Sequence, residues 1–471
     1  MSPQVTVVVW DGFRPDHVSR ESTPTLSALI DSGVEFFSSR CTYPPHTRVN
    51  CASLVTASLP EVHGLVANQM HLAQTGTAKP WSLAERDTIL TLADLAPDGL
   101  FGVPSMGEAL AEADRSLAVV SAASEGSTSI IGWGADVVIG DGVCYPADVA
   151  AAVESRFGPS PGRHDPNASR LNRYMTDVAL RYVLAALQPD VLLIWLGEPD
   201  AAQHAYGVGS REASQAVTVN DQLLAGLLQG LGDEANVIVT SDHGHTEVQP
   251  ALRTTASVVE ESTGLVEGSD FVLCSDAIYF LADQAEDAVA STVAALLDCP
   301  WIGHVFTATP CQGALPMSAV GIGGTWAPHV KFSGAWDDKA GSSPFSGVAR
   351  MGAECEYRST HSTVGSTDMK NLLVGAGPAF RRGVRSEIPC GIVDIAPTIL
   401  SITGTPIPEV WQGRPLTEGL AGSDDHSELA VEWETIGTSD DHSNQTVERA
   451  WVRGTPYLWA GSPHTRIHKG R

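Results

Sequence analysis

Apolar and polar positions along this chain fall into two alternating rhythms. Short uninterrupted runs read as buried strands: Val5-Thr6-Val7-Val8-Val9-Trp10, Val191 to Leu196 (VLLIWL), Asn236 to Thr240 (NVIVT) and Asn371 to Val374. Between them lie stretches with helical spacing. Thr25 to Ser32, Arg48 to Ala57, Ala213 to Leu231 and Ile395 to Ile402 read as helices, the last closed by Gly404. Leu171, Met175, Val178, Ala179, Leu180, Val183, Leu184 and Leu187 keep the same period, and that helix stops before Pro189. Strands alternating with helices predict an α/β fold, a mostly parallel sheet covered by helices on both faces.

One stretch breaks the rhythm. Between about 250 and 345 the chain is rich in Gly, Pro, Ser and Ala, with strand-like Phe271-Val272-Leu273 and Ala277-Ile278-Tyr279-Phe280. It reads as an inserted cap or lid (251–345) that divides the core into a first part, 1–250, and a second part, 346–471. The tail after about 424 is expected to return to the sheet edge.

Composition narrows the class. With 471 residues, 43% hydrophobic and 18% charged, the chain supports a large core and does not resemble a disordered or repetitive protein. No run approaches the ~20 apolar residues of a membrane helix, and the start lacks a basic n-region and a cleavage site. The expectation is a cytoplasmic protein. A net charge of −27 with no basic stripe argues against nucleic-acid polymers as partners. The eight scattered cysteines contain no CxxC pair and read mostly as free, buried thiols. Oligomeric state leaves no mark on the sequence.

Four places put Asp or His beside an apolar strand, three of them just past the C-terminal end, where open α/β sheets place ligands. They are Asp11 in VVVWDG, Asp200 with His204 in LLIWLGEPDAAQH, Asp242-His243 in VIVTSDHGH, and His361 in RSTHSTVGSTDMKNLLV just before a strand. Singly, each has an ordinary explanation. Asp11 or Asp242 could cap a helix, and a lone His361 could be a hydrogen-bonded structural residue. Together, three aspartates and three histidines supply a mixed oxygen and nitrogen shell suited to zinc or a similar divalent ion.

Thr47 completes the set. It lies in Tyr43-Pro44-Pro45-His46-Thr47-Arg48-Val49-Asn50, where two prolines end one segment and a helix begins. A hydroxyl there is either a plain N-cap or a nucleophile among free N–H groups that favour a phosphoryl oxygen. Beside a metal cluster the second reading prevails, since metal coordination is one route to a threonine alkoxide at neutral pH.

These segments resemble the type I phosphodiesterase/nucleotide pyrophosphatase branch of the alkaline phosphatase superfamily, which includes phosphonoacetate hydrolase-like members. The resemblance rests on VVWDGFRPD, TPTLSALIDSGVEF, PPHTRVNCASLVTASLPEVHGLVANQM, EPDAAQH, SDHGH, and STHSTVGSTDMKNLLVGAGPAF with VDIAPTIL. It covers about 1–70, 165–247 and 355–416, in matching order and spacing. It implies an alkaline phosphatase-like fold and two divalent ions, usually zinc, with manganese as the alternative. One ion would be held by Asp11, Asp242 and His243 and would touch the Thr47 oxygen; the other by Asp200, His204 and His361. Asn68 matches an asparagine that donates to a non-bridging phosphoryl oxygen, although by itself it reads as a turn residue.

The implied activity is hydrolysis of small phosphoric esters through a phospho-threonine, with phosphodiesters outpacing monoesters. Phosphonoacetate-type cleavage of a carbon–phosphorus bond uses the same ligands, and phosphomonoester hydrolysis is a third option. An inactive binding protein of the same fold would not need this intact set. Three departures touch the leaving-group pocket: Gln203 before His204, Ala205-Tyr206-Gly207-Val208 after it, and Ser362-Thr363 after His361. Cations for a substrate carboxylate would decide for the phosphonate reading, and Arg48, Lys79, Lys331 and Lys370 are the candidates.

Overall fold

The computed structural model describes residues 4–163, 169–281, 285–339, 341, 344–422, 429–439 and 443–466. A nine-stranded sheet forms its centre, in the order Val384–Ser386, Val34–Phe36, Leu373–Ala376, Asn236–Thr240, Val5–Trp10, Val191–Leu196, Leu117–Ser121, Val137–Gly140 and Cys144–Tyr145. The five consecutive strands from Asn236–Thr240 to Val137–Gly140 are parallel. Leu373–Ala376 joins antiparallel to Asn236–Thr240. The expected α/β architecture is therefore present, with an antiparallel flank on one side.

The apolar runs are continuous because the central strands are covered on both faces. Val5, Val7 and Val9 enter one core with Val191, Leu193 and Trp195, while Val8 and Trp10 join Leu192, Ile194 and Leu196 in another. Side chains of a strand alternate between faces, so a strand buried on both is apolar at nearly every position, with Thr6 the exception in Val5–Trp10. Helices Thr47–Thr56 and Ile395–Thr403 pack on the first face. Ser169–Val178 and Arg211–Leu231 pack on the second.

The helix expected to end before Pro189 does so, but its second half, Ala179–Leu187, winds wider with π geometry. Gln188 terminates it in a left-handed conformation, φ 51°. The strand expected at Asn371 starts two residues later, at Leu373. Asn371 is instead a buried tie, its amide donating to the Ser241 carbonyl at 2.7 Å.

A second, eight-stranded sheet is assembled from Thr246–Pro250, Phe271–Cys274, Ala277–Phe280, Ile302–Thr307, Leu315–Pro316, Val330–Asp337, Val348–Met351 and Ser359–Thr360. It carries its own core around Val259, Phe271, Val293, Val305 and Val330. The tail does not return to the central sheet edge. Val431–Ser439, Ser443–Val452 and Thr455–Arg466 form a separate antiparallel sheet, held by the Arg40 guanidinium 3.8 Å over Trp459 and by Arg414 Nε donating to Tyr457 Oη at 3.1 Å. All eight cysteines are unpaired and five are buried. Among the described residues no helix is long and apolar enough to cross a membrane.

Leu193 is fully buried in the central strand. Leu193→Ala is expected to lower unfolding free energy by about 2–5 kcal/mol in a denaturant titration. A loss under about 1 kcal/mol would contradict a strand packed tightly on both faces.

Candidate active site

Three parallel strands deliver the acidic groups to one edge. Asp11 follows Trp10, Asp200 follows the turn after Leu196, and Asp242 follows Thr240. Backbone bonds lock their loops together: Asp11 N donates to Leu196 O at 2.9 Å and Asp200 N to Asp11 O at 3.1 Å. Gly12 sits at φ 65°, and a Cβ there would lie 3.0 Å from Asp200 Oδ1. Gly244 is tighter, since its Cβ would fall 1.9 Å from the Thr367 carbonyl. Only glycine fits either place.

Two clusters result. Asp11, Asp242 and His243 form one, all buried, and Asp200, His204, His245 and His361 the other, with ligand atoms in each within 4.8 Å of one another. Neither Asp11 nor Asp242 caps a helix. Trp195 Nε1 donates to Asp11 Oδ2 at 3.0 Å and Gly12 N to Asp242 Oδ1 at 2.9 Å. The opposite oxygens face His243 Nε2, Asp242 Oδ2 at 3.1 Å and Asp11 Oδ1 at 3.6 Å, and are buried with no other group to bond them.

The imidazoles are oriented by carbonyls. His204 Nδ1 meets Ser359 O at 2.8 Å, His243 Nδ1 meets Gly244 O at 2.9 Å, and His361 Nδ1 meets Pro45 O. A carbonyl only accepts, so each Nδ1 carries a proton and each Nε2 is the nitrogen turned inward, able to offer a lone pair once it is unprotonated. His204 Nε2 and His361 Nε2 then face each other at 3.2 Å. Three Nε2 atoms surround Asp200 Oδ1, at 3.3 Å from His204, 3.1 Å from His245 and 3.5 Å from His361. Imidazole nitrogens and carboxylates packed this closely are stabilised by positive charge among them, supplied by protons or by a bound cation. The donor set, mixed Asp and His with orphaned buried oxygens, fits a divalent ion in each cluster.

The electrostatics agree. Burial, then the Asp242 and Asp200 charges, pushes the Asp11 carboxyl well above its ordinary range. Burial would lower His243, but Asp242, Asp11 and Asp200 raise it to about 10. Asp200 feels burial in the opposite sense, yet its histidines hold it well below the carboxylate range.

Thr47 is the first residue of helix Thr47–Thr56, and the N-cap is His46, which makes no side-chain cap bond. Thr47 is thus no capping residue. Its Oγ1 lies 3.2 Å from His243 Nε2, and Thr47 lines a cavity of about 620 Å³ together with Asp11, Asp200, His204 and His361. Asn68 Oδ1 accepts from Arg48 N at 3.1 Å, leaving the Asn68 amide group to donate at the cavity wall.

His245 was not among the residues singled out in the sequence, although it lies two positions after His243 in the same strand-end segment. Its Nδ1 is buried without a partner and it meets Asp200 rather than a carbonyl. Asp368 was also missed. It accepts from Ser362 N, Thr363 N, Thr363 Oγ1 and Thr246 Oγ1, clamping the His361 loop to the strand beyond His245. The second sheet adds Asp276, whose Oδ1 lies 2.6 Å from the fully buried Lys331 Nζ and whose Oδ2 lies 3.5 Å from His46 Nε2. The sequence departures have structural uses: Gln203 Nε2 donates to Gly12 O at 2.8 Å, and Thr363 serves Asp368.

Residues 5–299 match the family described as type I phosphodiesterase/nucleotide pyrophosphatase. The chain belongs to that family. It is 26% identical over 270 residues to the bis(5'-adenosyl)-triphosphatase ENPP4 of Homo sapiens, covering 52% of this chain and 48% of the relative. It is 25% identical over 250 residues to ectonucleotide pyrophosphatase/phosphodiesterase family member 3 of Bos taurus, covering 51% of this chain and 25% of the relative. The chain thus spans half or less of the curated relatives it matches. Among solved structures, murine ectonucleotide pyrophosphatase/phosphodiesterase 5 superposes with TM-score 0.64 at 16% identity, over 89% of this chain and all of that one. An inactive form of the same murine protein in complex with AMP gives TM-score 0.61 at 17% identity, over 86% of this chain and 96% of that one. These likenesses establish an alkaline phosphatase-like fold.

Metal-free protein should take up two divalent ions per chain, measured by elemental analysis after zinc or manganese loading. His361→Ala should reduce this to about one, because its cluster loses an inward lone pair. Loading should raise thermal stability, by about 2.7 kcal/mol when free metal is 100 times its Kd. Protein that binds no divalent ion at neutral pH would refute the reading of both clusters.

Proposed function

We propose that this chain is a phosphoric-ester hydrolase, most directly a phosphodiesterase/nucleotide pyrophosphatase, with Thr47 as nucleophile. The observation that carries the reading is the Thr47 hydroxyl, free of any capping role and set 3.2 Å from His243 Nε2 at the cavity floor. The activities named for the relatives, and the AMP complex of the murine protein, support nucleotide-bearing esters as the substrate class.

Asp11, Asp242, His243 and the Thr47 oxygen would hold one ion, and Asp200, His204 and His361 the other. His245 would steady Asp200 from behind. Bound there, two divalent ions, zinc or manganese, would supply the positive charge that favours a Thr47 alkoxide and meets the phosphoryl oxygens. Thr47 Oγ1 attacks phosphorus in line, and the leaving oxygen departs with the bonding pair and gains a proton. The phospho-threonine so formed is attacked by water from the opposite side, which restores the Thr47 hydroxyl and releases phosphate monoester from a diester. Asn68 donates through its amide to an equatorial oxygen while its own Oδ1 stays fixed by Arg48 N.

Thr47→Ala should cut turnover of a bis-aryl phosphodiester by on the order of a thousandfold, about 4 kcal/mol of barrier, with metal content retained. Thr47→Ser, which removes only a methyl, should keep measurable activity. A Thr47→Ala protein working at a tenth of the normal rate would remove Thr47 from the role. Faster cleavage of phosphonoacetate than of any ester would move the assignment to carbon–phosphorus hydrolysis.

A further inference from the structure

The cavity above Thr47 is not uniform in charge. Of the four cations considered from the sequence, three are committed elsewhere: Lys331 to Asp276, Lys370 over the Phe37 ring at 3.6 Å, and Lys79 over Trp81 at 4.4 Å. Only Arg48 lines the cavity, and a second arginine, Arg163, joins it there. Arg48 follows the nucleophile directly. Its Nη2 donates to Ser124 Oγ at 3.2 Å, while Nε is buried with no acceptor.

Neither arginine has a carboxylate within ion-pair reach among the described residues. Of the four acids of the same cavity, three are committed to a lysine or to the ligand clusters, and Glu354 has a backbone donor but no cation. Asp276 serves Lys331, Glu354 accepts from Thr255 N at 3.3 Å, and Asp11 and Asp200 belong to the ligand clusters. Burial, followed by the charge of Arg163, lowers Arg48 from its ordinary range, while Asp11 and Asp200 act on it more weakly in the opposite sense. A structural arginine would be expected to be paired and satisfied, because a buried unmet donor costs about 1–3 kcal/mol. Planar guanidiniums suit carboxylate and phosphate recognition.

We propose that Arg48 and Arg163 form a subsite for a second anionic group on the substrate, a carboxylate or a further phosphoryl group, beside the phosphorus attacked by Thr47. The inference rests on the hydrolase reading above and names the substrate class of that same cavity. Ser124 holds the Arg48 fork in place, and Arg163, solvent-exposed in the lining of the same cavity, adds the second guanidinium.

The test uses the full, metal-loaded chain and three nitrophenyl phosphodiesters whose second arm is ethyl, carboxymethyl or phosphonoethyl. Wild-type kcat/KM should favour one of the two charged arms over ethyl by about tenfold or more, and the preferred arm identifies the anion. Arg48→Gln and Arg163→Gln should each bring that ratio to within about threefold of unity, and Arg48→Lys should fall between. Lys79→Gln, outside the cavity, should leave the ratio as it was. A wild-type ratio near unity, or a preference that survives in both glutamine variants, overturns the subsite. If none of the diesters is turned over, the hydrolase reading fails and calorimetry decides the subsite independently. Phosphonopropionate must then bind at least tenfold tighter than ethylphosphonate, with the difference lost in Arg163→Gln, or the subsite falls too.

Discussion

Buried carboxylates without a compensating cation cost several kcal/mol each, and this fold places Asp11 and Asp242 fully inside with Asp200 beside them. Everything around them is arranged to leave one oxygen of each acid uncommitted. Trp195 takes one side of Asp11 and Gly12 N one side of Asp242. Carbonyls take the outer nitrogen of His204, His243 and His361. The inner face then gathers carboxylate oxygens and inward imidazole nitrogens, a concentration of negative charge that is relieved when positive charge sits between them. A parallel sheet supplies the geometry cheaply, because three neighbouring strands end at one edge and their loops bond to each other across it.

That logic also explains what was legible in the sequence. Val191–Leu196 and Asn236–Thr240 lie where the runs place them, because strands buried on both faces are mostly apolar and acids follow within a few residues. Asp11, Asp200, His204, Asp242, His243 and His361 could be picked out for the same reason, as charge directly beside apolar runs. His245 could not, since its partner Asp200 is 45 residues earlier and only the fold brings them to 3.1 Å. Asp368 reads as one acid in a Ser/Thr-rich loop, and its four donors become evident only when residues 246 and 362–363 converge on it. The tail misled because apolar strand content predicts pairing but not the partner: its three strands satisfy one another rather than the sheet edge.

The second sheet is more than a cover. Through Asp276 it carries a buried ion pair to His46, the residue that opens the nucleophile's helix, and His46 Nδ1 accepts from Asn68 N at 3.2 Å. Burial holds His46 near pKa 3, so it acts as a neutral link rather than a charge. Thr47 and Asn68 are therefore fixed relative to each other from the side of the second sheet as well as from the central one. Loss of the Asp276–Lys331 pair would leave Lys331 as an unpaired charge in the interior, which ties the integrity of this wall to the placement of the nucleophile.

Charge balance in the cavity points in the same direction as the unpaired arginines. With both clusters occupied by divalent ions, the three carboxylates of Asp11, Asp200 and Asp242 would leave a single excess positive charge. Arg48 and Arg163 add two more on the adjoining wall, and Glu354 is the remaining acid of that cavity not paired with a cation. A simple diester brings one negative charge, which together with Glu354 still leaves net positive charge beside half-buried Arg48 and exposed Arg163. A substrate with a second anion meets them directly, and its binding energy is available at a residue joined by one peptide bond to the attacking oxygen. Interactions so close to the reacting centre tighten as the nucleophile advances, so the second anion would contribute to turnover as well as to affinity.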